Sequence, residues 1–120
     1  MANLSELIRG HESTVDPRFP HAPPEWSIES AFEVARQESL TLGEDHWELV
    51  RGLQEFFARH EDVAIHLREL RDALDEKFHY KGGMSYLYTL LPGGPIAQGC
   101  RLAGLKPPAG AVDRSFGSVA

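Results

Sequence analysis

The spacing of apolar residues in the first half of the chain predicts two amphipathic helices. Ser27 suits a helix N-cap, and the apolar side chains behind it recur at helical spacing, which predicts a helix over residues 28–39. Thr41 and Glu44 stand three residues apart, as in a capping box, where the hydroxyl accepts from the third helical N–H and the glutamate reaches back to the cap. This pair predicts the start of a second helix, which continues to about Arg59.

A third apolar stripe predicts a helix over residues 61–79. Glu61 and Asp62 would place acidic groups at the positive end of its dipole. A tight turn is expected between this helix and the preceding one, so the two predict a helix-turn-helix-like pair. The stripe keeps a three-four spacing and consists of Val63, Leu67, Leu70, Leu74 and Phe78.

Glycine and proline delimit two shorter helices and an arm in the last third of the chain. Residues 84–91 predict a short aromatic helix. Pro95 suits the first turn of another helix, because its missing N–H would have no partner there, and Gly104 suits the C-terminal end. Adjacent prolines and nearby glycines then predict a flexible, extended C-terminal arm and tail over residues 105–120.

Together these elements predict a single domain, residues 1–120, of mainly all-α class. The expected architecture is a small orthogonal helical bundle with a helix-turn-helix-like pair and a flexible C-terminal arm. Residues 1–26 are expected to be irregular, since four prolines between residues 16 and 24 exclude a helix there. No alternating pattern of strand length is present.

Composition narrows the class of protein. The chain has 120 residues and a net charge of -6, which argues against a nucleic-acid footprint. No apolar run approaches the ~20 residues that cross a bilayer, and the first residues lack the apolar core of a secretory signal. We therefore expect a cytoplasmic protein with no membrane partner. The single cysteine, Cys100, excludes an internal disulfide and a cysteine-based zinc cage.

The residues do not predict conventional enzyme chemistry. Asp62 and His66 would share one face of the predicted third helix, but no third metal ligand is spaced to join them. No phosphate-binding loop and no acid–base pair appears, so neither a metal nor a cofactor is implied. Whether the protein is an enzyme is left open, and we favour the interpretation that it is not an enzyme by itself.

Cys100 is the one candidate redox or persulfide-bearing thiol. It follows a helix start at Pro95, and both the helix amides and Arg101 would lower the pKa of its thiol. The alternative is that a lone cysteine on an apolar helix face is a small buried hydrophobe. The sequence leaves both interpretations open.

The helix-turn-helix-like pair also permits a DNA-binding regulator. Its second helix, residues 61–78, would carry a net charge of -3, which is the wrong sign for contact with phosphates. Core packing explains the same pattern without DNA, so this function is kept as a disfavoured alternative.

Several motifs occur together in an order that resembles the DsrC/TusE family of sulfur-relay proteins. Residues 91–112 read LPGGPIAQGCRLAGLKPPAGAV, similar to a family signature of a Pro-Gly-Gly-Pro turn, a Gln-x-Cys helix end and a Pro-Lys-Pro-x-Gly-Cys-Val arm. The segment LGEDHW at 42–47, the Tyr86–Tyr88 pair and Trp26 also look like family features. The resemblance covers roughly residues 24–112.

The resemblance implies a mobile arm whose penultimate cysteine accepts sulfur as a persulfide. Cys100 matches the additional upstream cysteine of DsrC-type members, whereas Ala111 stands at the position of the terminal acceptor. A methyl group there can carry no persulfide, so the chain resembles a divergent member that lacks the standard acceptor. The implied partner-binding residues are Pro92, Gly94, Pro95, Arg101, Gly104, Leu105 and Lys106.

The leading hypothesis is a sulfur-metabolism protein that docks on partners through its C-terminal arm. It would act as an adaptor or regulator, or as a one-cysteine sulfur carrier through Cys100. The partners implied by the resemblance are other sulfur-relay proteins or a sulfite-reductase-like complex.

Overall fold

Five α-helices and one short 3-10 turn form the part of the chain that the computed structural model describes, residues 16–61 and 63–111. The turn, His79–Lys81, joins the third helix to the fourth. No strand occurs within the described residues, and the predicted small all-α bundle is confirmed. The helices are α1 (Ile28–Gln37), α2 (Glu44–Arg59), α3 (Leu67–Lys77), α4 (Gly83–Leu90) and α5 (Pro95–Ala103).

Helix α5 is the central element of the bundle. It packs against α1, α2 and α4, and every one of its residues except Arg101 is buried. Gly99 permits the close approach of α2, because a Cβ at this position would lie 2.7 Å from Cδ1 of Leu53. The segment that carries the family motif is therefore also the core of the domain.

The predicted start of α1 is confirmed. Ser27 has an extended backbone and its side chain accepts from the N–H of Ser30, while the Ser30 side chain accepts from the N–H of Ser27. Each serine side chain thus accepts a hydrogen bond from a backbone N–H that has no acceptor within the helix.

The predicted capping box of α2 is wrong. The helix begins at Glu44 with Gly43 as its N-cap, and Thr41 is exposed and precedes it. The Gly43 N–H donates to Nδ1 of His46 at 3.0 Å, so the imidazole takes the role predicted for the glutamate. The end of α2 at Arg59 is confirmed.

The predicted start of the third helix is also wrong. Helix α3 begins at Leu67, six residues after Glu61, and His66 is its N-cap. Val63 belongs to the connection and is 60% exposed, whereas Leu70, Leu74 and Phe78 are buried as the stripe predicted. The packing of these three residues in the core sets the position of α3. Val63 is not among the residues that pack against the core.

The later start of α3 affects two further predictions, the tight turn before it and the helix face shared by residues 62 and 66. Residues 60–66 separate α2 from α3, so no tight turn joins them as in the predicted helix-turn-helix-like pair. His66 lies before the helix as its N-cap, and position 62, its predicted neighbour on one helix face, is outside the described residues. The predicted tail, residues 113–120, and the irregular residues 1–15 are outside them as well. Within the described part, none of the helices has the length and apolarity to cross a membrane.

Candidate functional site at the root of the C-terminal arm

The Pro-Gly-Gly-Pro turn before α5 is held by the glutamine of the same motif. The side chain of Gln98 is buried, and its Oε1 accepts from the N–H of Gly93 at 2.7 Å. Gly94 adopts a φ of 125°, a conformation that favours glycine. Pro95 then occupies the first turn of the helix, as predicted. Gly94 and Pro95, two of the predicted partner-binding residues, are themselves buried.

Arg101 forms an ion pair that the sequence did not reveal. Its Nε and Nη2 donate to the two carboxylate oxygens of Glu38 at 2.5 and 2.9 Å. Nε2 of Gln98 donates to the same carboxylate at 3.0 Å. Glu38 is the C-cap of α1, so this cluster fastens α1 to the half-buried edge of α5 at Arg101.

The C-terminal end of α5 is the root of the arm, and two side chains cap it. The indole N–H of Trp26 donates to the carbonyl of Leu102 at 2.7 Å, and Nε2 of Gln54 donates to the carbonyl of Ala103 at 3.1 Å. Gly104 is left-handed with a φ of 77°, and a Cβ there would lie 2.9 Å from Trp26. Only glycine satisfies both conditions, so the predicted helix end is confirmed with its reason.

Cys100 lies in the hydrophobic core. Its side chain is 0% exposed. Burial raises the pKa of the thiol to about 12, and the opposing attraction of Arg101 is the smaller effect. The helix amides and Arg101 thus do not produce the low pKa that a reactive thiol needs. In this conformation Cys100 is a protonated thiol without access to solvent.

The arm turns back along the body after Gly104. Leu105 donates its N–H to the carbonyl of Cys100 at 2.8 Å and is half-buried, whereas Lys106 is exposed. Ala111 packs against the edge of the core and shares a cavity with Ile96, near the start of α5. The described part of the arm therefore spans α5 from its C-terminal to its N-terminal end.

A groove of about 530 Å³ lies beside the arm root. Arg101 and Gly104 line it, together with Trp26, so the structure brings together two of the predicted partner-binding residues there. Gly94 and Pro95 lie at the opposite end of α5, and Pro92 is exposed in the turn before them. The remaining walls of the groove are Pro23, Pro24, Glu25, Ser30 and Val34.

Sequence reasoning missed Glu38, Gln54 and Gln98 as residues that position the site. Gln98 was noted only as part of the family motif, in which Cys100 was the predicted functional residue. Glu38 and Gln54 stand in ordinary helical sequence, and no local signal marks them.

Comparison with known proteins assigns this arrangement to a family. The family model described as DsrC like protein matches residues 8–112, so the chain belongs to that family. The curated relatives include the sulfurtransferase TusE of Salmonella typhimurium, which is 36% identical over 104 residues, 85% of this chain and 94% of that protein.

Two further TusE sulfurtransferases match a shorter stretch. That of Photorhabdus laumondii is 38% identical over 85 residues, covering 70% of this chain and 76% of the relative. That of Escherichia coli K12 is 36% identical over 85 residues, covering 70% and 77%. Comparison with solved structures gave no significant match.

Proposed function

We propose that this protein is a cytoplasmic sulfur-relay adaptor or regulator that docks on relay proteins through its arm. The TusE sulfurtransferases among its relatives support the sulfur-relay role. The expected partners are other sulfur-relay proteins or a sulfite-reductase-like complex.

The state of the two sulfur-relay positions favours an adaptor over a carrier. Ala111 has a methyl group at the position that the family resemblance assigns to the acceptor. Cys100, the one remaining thiol, is 0% exposed and its pKa is raised to about 12. A thiolate with access to the sulfur donor is the species that accepts sulfur, and neither position offers one. This burial of Cys100 carries the proposal.

The groove at the arm root supports docking. It combines the ring of Trp26 with the half-buried guanidinium of Arg101, and aromatic and arginine side chains are enriched where partners bind tightly. Lys106 is exposed and adds a positive charge at the start of the arm. A partner that contacts the groove would contact the arm as well.

An intact mass spectrum after incubation with glutathione persulfide separates the adaptor from the one-cysteine carrier. The adaptor is expected to keep its mass under native conditions. A gain of one sulfur atom that disappears in Cys100→Ser would make Cys100 a carrier and would overturn the adaptor proposal.

Affinity for the purified relay proteins of the same organism tests the docking. Lys106→Glu is expected to weaken binding, because it reverses the charge at the start of the arm. Arg68→Glu is the matched control, since Arg68 is exposed on α3 and away from the groove. Equal affinities for the two variants would remove the arm from the docking surface.

A DNA-binding regulator is the second candidate. Helix α3 has three basic residues against four acidic ones, a charge that opposes contact with phosphates. A gel shift at low salt tests it directly, and a shift abolished by Arg68→Glu would favour this function over the adaptor.

A further inference from the structure

A second groove adjoins the arm root. Its volume is about 390 Å³, and it shares Pro23 and Pro24 with the groove described above. Its walls also include Pro20, Phe57 and Leu105, the last of which belongs to the arm. We call it the proline groove. Its volume lies within the range of roughly 300–1000 Å³ found for sites that enclose small groups.

The proline groove contains a buried hydrogen-bond acceptor without a donor. Gln54 is one of the lining residues and is 1% exposed. Its Nε2 donates to the carbonyl of Ala103 at 3.1 Å, whereas its Oε1 accepts from no residue that the structure describes. A buried acceptor that lacks a donor costs free energy, and such groups are few in native proteins. A donor supplied by a bound group would remove this cost.

The lining residues around this amide offer few donors in return. Pro20, Pro23 and Pro24 have no N–H. The N–H groups of Ala22 and Leu105 already donate to backbone carbonyls. A bound group that carries its own acceptor would therefore leave that acceptor unpaired. The complementary group donates one hydrogen bond and accepts none.

The charge of the proline groove argues against a cation as that group. Glu61 is the acidic residue among its lining side chains, and it is exposed to solvent. Water screens an exposed carboxylate, so Glu61 does not offset the desolvation of an ammonium or guanidinium beside Gln54. Among protein side chains, the indole of tryptophan is the neutral group that donates and does not accept. Its apolar rings also suit the apolar walls.

We propose that the proline groove binds a tryptophan side chain of the partner that docks on the arm. The indole N–H donates to Oε1 of Gln54, and the rings lie against Phe57 and Leu105. Because Oε1 is closed to solvent, the ring reaches it only when a wall residue shifts, and Leu105 lies in the arm beyond the end of α5. The source of the tryptophan rests on the proposed adaptor function, whereas the acceptor and the walls do not.

An NMR titration of the full chain compares N-acetyltryptophanamide with its benzothienylalanine analogue, in which sulfur replaces the indole N–H in a ring of the same shape. Saturable shifts are expected at the backbone amides of Phe57 and Leu105 and at the side-chain amide of Gln54. The tryptophan probe should bind about tenfold more tightly, as one hydrogen bond to a buried acceptor predicts. Shifts that do not saturate, or equal affinities for the two probes, would overturn the proposal.

Gln54→Met isolates the hydrogen bond, because methionine has a similar shape and lacks the amide oxygen. This variant also loses the bond to the carbonyl of Ala103, so the two probes are compared on the same variant. It should bind the sulfur analogue as the native chain does and lose the tenfold preference for tryptophan. A preference that persists would show that Gln54 is not the acceptor, and the proposal would be wrong.

Ala58→Phe should fill the groove from an exposed position on α2, and Ala73→Phe, exposed on α3 and outside the groove, is its matched control. Ala58→Phe is expected to abolish the saturable shifts and to weaken binding of the relay proteins, and Ala73→Phe to change neither. Undiminished binding of the relay proteins by Ala58→Phe would reject the groove as their docking site and leave the adaptor function intact. Probe binding that persists when the native chain fails to bind relay proteins would reject the adaptor function alone.

Discussion

Glu38 and Arg101, 63 residues apart, meet in a bidentate ion pair at the edge of α5. The carboxylate is the C-cap of α1 and the guanidinium is the only part of α5 that is not buried. The side chains are 11% and 26% exposed, so solvent screens the pair only in part. The family motif residue at 101 thus holds the fold together, besides lining the groove at the arm root.

Replacing Glu38 by Gln should destabilise the protein by roughly 1–3 kcal/mol, the range for a charged hydrogen bond lost with its partner retained. Urea unfolding followed by circular dichroism measures this. Glu33→Gln is the matched control, because Glu33 pairs with Arg36 on an exposed helix face and should change the free energy of unfolding little. Similar losses for the two variants would show that the Glu38 pair adds no more than a surface pair.

Gly104→Ala should cost about 1–3 kcal/mol, because it forces a left-handed alanine against the indole of Trp26. Gly52→Ala provides the contrast within α2. There a Cβ meets only the flexible end of the Lys77 side chain, and alanine is the better helix former by ~1 kcal/mol. We expect thermal unfolding to place Gly104→Ala below the native chain and Gly52→Ala level with it or above. The reverse order would contradict the left-handed end of α5.

The buried thiol of Cys100 should make stability fall at high pH. Its pKa is raised from 9.0 to about 12, so the unfolded chain loses the proton first. The contribution of the neutral thiol to the free energy of unfolding is therefore present in full below pH 9. It is lost as the pH rises from about 9 to 12. Denaturant unfolding of the native chain and of Cys100→Ala over this range isolates the effect, since other groups titrate equally in both. Parallel curves would contradict the burial, as would rapid reaction of the native thiol with a disulfide reagent at neutral pH.

Truncating Leu70 to Ala should cost ~2–5 kcal/mol, because the side chain is fully buried. Val63→Ala tests the other end of the predicted stripe and should have little effect, since Val63 is 60% exposed in the connection before α3. Chemical denaturation of both variants gives the comparison. A large loss for Val63→Ala would return residue 63 to the core.

The sequence by itself determined the features that depend on neighbouring residues. Ser27 caps α1 through a residue three positions away, Pro95 opens α5, and Gly104 ends it, because each acts through its own backbone geometry. The motif at 91–112 placed the chain in its family for the same reason, since its residues are contiguous. At α2 the local pattern was misleading, because the predicted cap was Thr41 whereas the helix begins after Gly43.

Only the tertiary structure decided the properties that depend on distant residues. The pKa of Cys100 is set by burial among other helices, and Arg101 is held by a glutamate from α1. The start of α3 is fixed by which leucines reach the core, which a regular apolar spacing does not reveal. Solvent exposure and pairing are sums over contacts between segments far apart in sequence, and these contacts exist only once the helices have packed.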